Sequence, residues 1–377
     1  MPEPSVLIAP DSFKGCASSL EVADLIEQGV RHAAPTARVA KLAVADGGEG
    51  TLDAILRARG AEPTVLEVTG PLGRPVQARY GLLDDGTAVV EMAEAAGIGL
   101  TGRTSDDALA ATTRGVGELI LDAARRGARR VLVGLGGSAT SDGGSGMARA
   151  LGARLLDAEG SEVPEGLAGL RDVATVDVSN MAPELQGIEV VALSDVTNPL
   201  CGREGAVYVY GPQKGLPRER LAELDAWMAG YARAVARAVS RDFSEGAGVG
   251  AAGGLGFGLL SFCGARVEPG IERVLDAIRI DEALAGADLV ITGEGRMDAQ
   301  SAFGKAPVGV AHRAKKRGLP VVAVVGSRAA DLGGVYDAGV DLVIPSPIGP
   351  CTLEECMSGA AELLPIAGEA AMRAFLL

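Results

Sequence analysis

Short apolar runs alternate with helical periodicity at both ends of the chain, and a different pattern fills the middle. Residues 5–9 are apolar and run into Pro10-Asp11-Ser12, which predicts a buried parallel strand. Ser18-Ser19-Leu20-Glu21 has the capping-box spacing, so an amphipathic helix is predicted from there to about residue 34. Residues 37–44 predict a second strand, and Asp46-Gly47-Gly48-Glu49-Gly50 leads into a helix ending near Arg59. The C-terminal stretch keeps this rhythm, with strands predicted at 288–292, 320–325 and 341–344 and helices at 307–317, 331–338 and 352–377. Five strands with crossover helices match the count of a flavodoxin-like sheet.

In the middle, residues 65–68, 76–83 and 88–91 read as antiparallel strands, with Asp84-Asp85-Gly86 as a turn. Helices are predicted at 113–125 and 217–239, and a strand at 130–134. The expected architecture is α/β: a flavodoxin-like doubly wound parallel sheet from residues 1–64 and 286–377, interrupted by an inserted α+β domain at 65–285. Ligands of open α/β sheets bind beyond the carboxyl ends of the strands. There the pattern puts Asp11, Ser12 and Lys14, then Asp46 and Glu49, then Glu294, Arg296 and Asp298. Three acidic clusters at one sheet edge exceed what helix capping needs, and they predict a site.

Composition narrows the chemistry. With one Trp, five Tyr and six Phe in 377 residues, the chain lacks the aromatics of a single-strand stacking platform. A net charge of −14 argues further against nucleic acid. His32 and His312 are the only histidines, which disfavours zinc or Ser-His-Asp chemistry. The 54 glycines follow no Gly-X-Y period, and many cluster at predicted strand-to-helix junctions. The uncharged stretch 246–265 is too glycine-rich for a membrane span and reads as a loop entering a buried helix. Five scattered cysteines do not make a disulfide framework, and Cys351-x4-Cys356 lacks the second pair a metal site needs. A cytoplasmic protein without membrane attachment is expected. Trp227, Met228 and Tyr231 on the long helix are expected in the core, and nothing in the sequence specifies an oligomeric state.

Only six basic residues are lysine, and Lys14, Lys214 and Lys305 each lie beside glycine in motif-like loops. Asn198, one of two asparagines, follows Asp195 just past a predicted buried run. The segment 134–146 places Gly136, Gly137, Ser138, Thr140, Asp142, Gly143 and Gly144 between a strand and a helix. Its spacing is neither Walker A nor Rossmann, but its amides and hydroxyls at a helix start suit an anion. A similar nest is expected at 250–256. Carboxylates, lysines and hydroxyl-bearing glycine loops, without histidine, favour phosphoryl transfer, which needs positioning and charge neutralisation.

Taken in order, these motifs resemble the bacterial glycerate kinase family. They are Ala9-Pro10-Asp11-Ser12-Phe13-Lys14, Ala45-Asp46-Gly47-Gly48-Glu49-Gly50-Thr51, Gly136-Gly137-Ser138-Ala139-Thr140, the 195–202 segment, and Gly211-Pro212-Gln213-Lys214-Gly215. Gly250 to Gly254, Thr292-Gly293-Glu294-Gly295-Arg296, Asp298-x-Gln300-Ser301 and Gly304-Lys305 complete the series. Ser141 departs from it, standing where the family pattern leads one to expect asparagine.

The resemblance implies ATP- and Mg2+-dependent phosphorylation of D-glycerate, with 2-phosphoglycerate as the expected product. Formation of 3-phosphoglycerate, another small hydroxy acid as substrate, and a non-catalytic acid-binding regulator are the alternatives. Under this reading the 136–144 loop and Lys14 hold phosphates. Asp46, Glu49 and Asp195 serve the metal or deprotonate the hydroxyl, with Asp46 and Asp195 as metal ligands. Ser12, Arg296 and Lys305 bind glycerate, with Glu294 and Asp298 orienting them, and the ligands are expected to meet between the domains.

Overall fold

In a computed structural model, residues 3–302 and 304–377 are described; Met1, Pro2 and Phe303, the residue before Gly304-Lys305, lie outside them. The chain divides into two compact units. One comprises Met1–Asp46, Asp53–Gly60 and Gly270–Leu377, the other Gly47–Leu52 and Ala61–Pro269. Apart from Gly47–Leu52, the second unit runs from just before the edge strand Pro63–Thr69. It ends before the helices Gly270–Ala277 and Ile280–Leu284, which belong to the first.

The first unit holds a five-stranded, all-parallel sheet. Across it run Leu342–Pro345, Val321–Arg328, Leu289–Met297, Ser5–Ile8 and Arg38–Lys41, with Ser5 opposite Arg38 and Val6 opposite Leu289. Taken in chain order these are strands 5-4-3-1-2, the flavodoxin arrangement. Ser5–Ile8 is buried on both faces, as its unbroken apolar run requires.

The helix Ser19–Ala33 starts with the capping box: Ser18 N–H donates to Glu21 Oε2 (2.8 Å), and Glu21 N–H donates to Ser18 Oγ (3.4 Å). It packs on the C-terminal helix Ala360–Leu376, with Ile26, Val30, Leu364, Ala371 and Met372 in one core with strand residues Val6, Ile8 and Ile291. The two helices meet backbone to backbone. A Cβ added at Gly29 would lie 1.9 Å from Pro365 O, and one at Gly368 would lie 2.5 Å from Ile26 O.

Three elements differ from the pattern. The strand expected at 288–292 continues to Met297, because pairing with Val321–Arg328 carries it through Gly293 and Gly295. A Cβ at Gly293 would meet Val324 O at 2.0 Å, so glycine is what allows the continued approach. The helix expected at 331–338 is only a 3-10 turn, Gly333–Val335. The final helix is two, Leu353–Ser358 and Ala360–Leu376, parted at Gly359.

The second unit holds a six-stranded mixed sheet. Arg266–Glu268, Glu189–Leu193, Arg130–Gly134 and Thr87–Glu91 run parallel, and the hairpin strands Pro75–Leu82 and Pro63–Thr69 complete one edge antiparallel. The 84–86 turn has Gly86 at φ +79°, and Thr87 N–H donates to Asp85 Oδ1 (2.9 Å). The register sets Glu91, Gly134 and Leu193 side by side at the carboxyl end of the sheet. Met228 and Tyr231 are fully buried on the helix Leu221–Val239, in a core with Leu224 and Phe257. No helix among the described residues is long and apolar enough to cross a membrane.

Gly29→Ala is expected to destabilise the protein by about 1–3 kcal/mol, because the two helices must separate to admit a methyl group. Urea unfolding of the variant against wild type checks this, and an unchanged midpoint would contradict it.

Candidate active site

The first unit places Asp11, Asp46 and Glu294 close enough to interact at the carboxyl ends of its strands. Past Ile8 the chain stays zipped to the neighbouring strand, with Ala9 N–H donating to Ile291 O and Asp11 N–H to Gly293 O, both at 2.8 Å. Thr292 Oγ1 reinforces this by donating to Ala9 O (2.8 Å). Asp11 Oδ1 accepts from Ser12 N–H at 2.6 Å. A tight turn follows, with Phe13 N–H donating to Ala17 O (2.9 Å), and it leaves Lys14 exposed.

Burial is the main reason the Asp11 carboxyl is pushed up to about 7, and Asp46 is the second, with Glu294 adding to both. The Ser12 N–H and the Lys14 charge oppose the rise. Carboxyls crowded and partly desolvated at a sheet edge are a recurrent property of catalytic sites.

On the neighbouring strand, Glu294 is 6% exposed. Its Oε2 accepts from Lys305 Nζ at 3.3 Å, and its Oε1 makes no hydrogen bond among the described residues. Burial raises the Glu294 carboxyl and Asp298 adds to it, against Ser301 and Lys305. Arg296, two residues on, projects outward with its Nε 3.7 Å from Asp298 Oδ2 and its side chain 74% exposed. Of the residues expected from the sequence, Ser12, Lys14, Asp46, Glu294, Arg296, Asp298 and Lys305 all lie in this unit with Asp11.

The second unit carries its own strand-end site, the loop after Arg130–Gly134. Glycine there serves close packing of backbone on backbone. A Cβ at Gly136 would lie 2.7 Å from Gly48 Cα, and one at Gly253 would lie 1.9 Å from Thr140 O. Gly143 N–H donates to Gly253 O (3.0 Å). Ala252, Gly253 and Gly254 are all left-handed, so this segment bends tightly enough to fit beneath the loop. Residues 250–256, expected to form a second anion nest, are instead buried here as packing surface.

Asp142 binds the loop together from inside. Its Oδ2 accepts from Thr113 N–H (2.9 Å), Thr113 Oγ1 (2.9 Å) and Gly146 N–H (3.0 Å), and its Oδ1 accepts from Gly144 N–H (3.1 Å). It is fully buried, and desolvation raises its pKa against those four donors. Thr140, Gly143 and Gly144 are buried beside it, while Gly136, Gly137 and Ser138 form the accessible front. Ser141 Oγ is buried without a hydrogen-bond partner among the described residues, at the position where the family pattern leads one to expect asparagine. In the same unit Glu49 is exposed, as is Asp195 beyond Glu189–Leu193.

Two residues carry more than the sequence assigned them. Asp11 was visible as the first carboxylate after a strand, but only folding brings Asp46 and Glu294 to it. Lys214, noticed as one of six lysines, closes the helix Ala206–Lys214 and is 2% exposed. Its Nζ donates to Thr140 O at 2.6 Å, behind the glycine-rich loop. Burial lowers its pKa to about 7, and the nearby Asp142 charge only partly restores it.

Between about pH 7 and the ordinary lysine range, the unfolded chain keeps a proton on Lys214 that the folded chain has released. Stability is therefore expected to rise with pH across that window through this residue. Lys214→Met should abolish that contribution and remain at least as stable as wild type at neutral pH. Urea midpoints of both proteins from about pH 7 to 9 check this, and identical slopes would contradict it.

Comparison with known proteins gives the same picture throughout the chain. A family model described as the glycerate kinase family matches residues 6–376. The glycerate kinase of Bacillus subtilis (strain 168) is 44% identical over 360 residues, 95% of this chain and 94% of that protein. The glycerate 2-kinase of Escherichia coli (strain K12) is 44% identical over 356 residues, 94% and 93% of the two chains. The crystal structure of a protein designated glycerate kinase 2 from Salmonella typhimurium LT2 matches with a TM-score of 0.87 and 44% identity, covering 99% of this chain and 98% of that one. Matched from residue 6 to residue 376, with ordered strand-end motifs in both units, the chain belongs to the glycerate kinase family.

Proposed function

We propose that the protein transfers the γ-phosphoryl group of ATP to the 2-hydroxyl of D-glycerate, releasing 2-phosphoglycerate and ADP in the cytoplasm. The observation that carries this reading is the convergence of Asp11, Asp46 and the Glu294–Lys305 pair at one carboxyl edge of a parallel sheet. The printed name of the Escherichia coli relative supports the 2-position.

Glycerate presents a carboxylate and two hydroxyls. Lys305 and Arg296 are the cations for the carboxylate, and Glu294 and Asp298 hold them. Asp11 is the proton acceptor we assign to the attacking hydroxyl, with the Ser12 N–H fixing its Oδ1. Lys14, exposed on the neighbouring turn, faces phosphate. Gly136, Gly137 and Ser138 are the loop's direct phosphate contacts, and Thr140, Asp142, Gly143 and Gly144 form the scaffold that holds them.

Among the described residues, no three or more His, Cys, Asp or Glu side chains come together as a metal cage. Magnesium keeps most of its water and takes one or two carboxylates plus phosphate oxygens. Asp46 is the metal carboxylate we assign in the first unit, and the exposed Asp195 the one we assign in the second. Bound to ATP, the ion would neutralise charge on the β- and γ-phosphates.

Phosphorus NMR of the reaction mixture is expected to show 2-phosphoglycerate and ADP. Exclusive 3-phosphoglycerate would overturn the regiochemistry, and glycerate binding without ADP release would favour a non-catalytic acid-binding protein. Arg296→Ala is expected to raise KM for glycerate roughly tenfold, the loss of one charge-assisted hydrogen bond, with a smaller change in kcat. Steady-state kinetics with glycerate varied separates the two, and a fall in kcat alone would remove Arg296 from carboxylate binding.

A further inference from the structure

The C-terminal part of the first unit contains a thiol pair that the phosphoryl-transfer chemistry does not use. Cys351 Sγ and Cys356 Sγ lie 2.7 Å apart; Cys351 is exposed and Cys356 half-buried. Local helix geometry explains the meeting. Thr352 is the N-cap of Leu353–Ser358 in a complete capping box: Glu355 N–H donates to Thr352 Oγ1 (3.2 Å), and Thr352 N–H donates to Glu355 Oε2 (2.8 Å). Cys351 therefore occupies the position before the cap and Cys356 the fourth helical position. In other helices a pair of apolar side chains at these two positions staples the incoming chain to the first turn. Here both are thiols.

A second observation ties this helix start to the candidate active site. Met357, the residue after Cys356, accepts a hydrogen bond from Cys16 Sγ at its carbonyl oxygen (3.3 Å). Its Cε lies 3.2 Å from where a Cβ on Gly15 would be. Gly15 and Cys16 belong to the turn that carries Ser12 and Lys14, closed by Phe13 N–H donating to Ala17 O. Desolvation pushes the thiols of Cys201 and Cys263 up to about 12, far from the reactive thiolate form, and the Cys356 thiol is raised too, chiefly by its hydrogen bond with Cys351.

We propose that Cys351 and Cys356 are a reversible oxidation site, closed to an intramolecular disulfide by hydroperoxides and coupled through Met357 to the turn that carries Ser12 and Lys14. One thiolate attacks the peroxide O–O bond, becoming a sulfenic acid while the peroxide's other half leaves as alcohol, or as water from hydrogen peroxide. The second thiol displaces water from the sulfenic sulfur and forms the S–S bond. Two thiol hydrogens and two electrons leave the protein, and the peroxide is reduced. The clamp then holds the helix start covalently where a side-chain contact held it before.

The disulfide rests on the thiol geometry alone, whereas its kinetic consequence rests on the proposed function, and the experiment keeps the two apart. The full-length protein is treated with hydrogen peroxide, and intact mass, thiol count and peptide mapping are recorded before and after dithiothreitol. The expected result is loss of two thiols and two hydrogens, a peptide cross-linked between Cys351 and Cys356, and full reversal. C351S and C356S should yield no intramolecular bond. Mixed disulfides, sulfinic acid or no reaction at these residues in the wild-type protein would overturn the site.

Reduced and oxidised wild type are then compared for KM of glycerate and of ATP, with peroxide-treated C351S as control. At least a threefold change in one KM, absent in C351S and reversed by dithiothreitol, is expected. Unchanged constants in a fully cross-linked protein would overturn the coupling through Met357. A reduced protein with no glycerate-dependent ADP release would instead overturn the proposed function and leave the mass measurement to decide the disulfide.

Discussion

The buried carboxylate of Asp142 is the constraint on which the second unit's strand-end loop depends. Four donors, from Thr113, Gly144 and Gly146, converge on it, and they join the start of one helix to the start of another through a single side chain. Met147 N–H in turn donates to Thr113 Oγ1 at 2.9 Å, so the network passes from the carboxylate through a hydroxyl to the next helical turn. A charge at this depth is tolerated only while its donors remain in place. The network therefore favours one loop conformation. The front of that loop, Gly136 to Ser138, is what the buried part holds in position.

Lys214 approaches the same network from the opposite side. Its ammonium hydrogen-bonds the Thr140 carbonyl, and Asp142 is the charge that favours its protonation. A lysine and an aspartate, each desolvated, thus share the space behind a glycine-rich front. Glycine is what makes that space small: Gly253 meets Thr140, Gly144 meets Gly258 and Gly136 meets Gly48 at distances no side chain permits. Much of the glycine excess in this chain is spent on backbone contact between segments rather than on ligand approach.

The first unit builds its site by another route. Its carboxylates crowd at the strand ends, Glu294 buried and Asp11 largely desolvated, and their mutual repulsion is balanced locally, by Lys305 on Glu294 and by the Ser12 N–H and Lys14 on Asp11. The strand Leu289–Met297 extends past the usual end of the sheet and carries Glu294 and Arg296 within its paired length. Glu294 is buried and Arg296 exposed, although side chains two residues apart on a strand share one face of the sheet. A cation free to reach a small acid and a carboxylate fixed in place are compatible demands on one strand.

Local pattern determined much of this protein. The capping box at Ser18, the apolar strand at Ser5–Ile8, the hairpin turn at Gly86 and the five-strand rhythm of the two ends follow from interactions a few residues apart, so they are legible in sequence order. The same holds for the chemical inventory: carboxylates, rare lysines and hydroxyl-bearing glycine segments at strand ends. Tertiary structure decided which members of that inventory face outward. Asp142 and Asp46 both follow a strand and precede a helix, yet one is enclosed by four donors and the other lies beside Asp11. Lys214 and Lys14 both stand next to glycine, yet one is sealed behind a loop and the other is exposed. Burial and electrostatic neighbours come from segments distant in sequence, 29 residues for Thr113 and Asp142 and 74 for Thr140 and Lys214, and no local pattern encodes that distance.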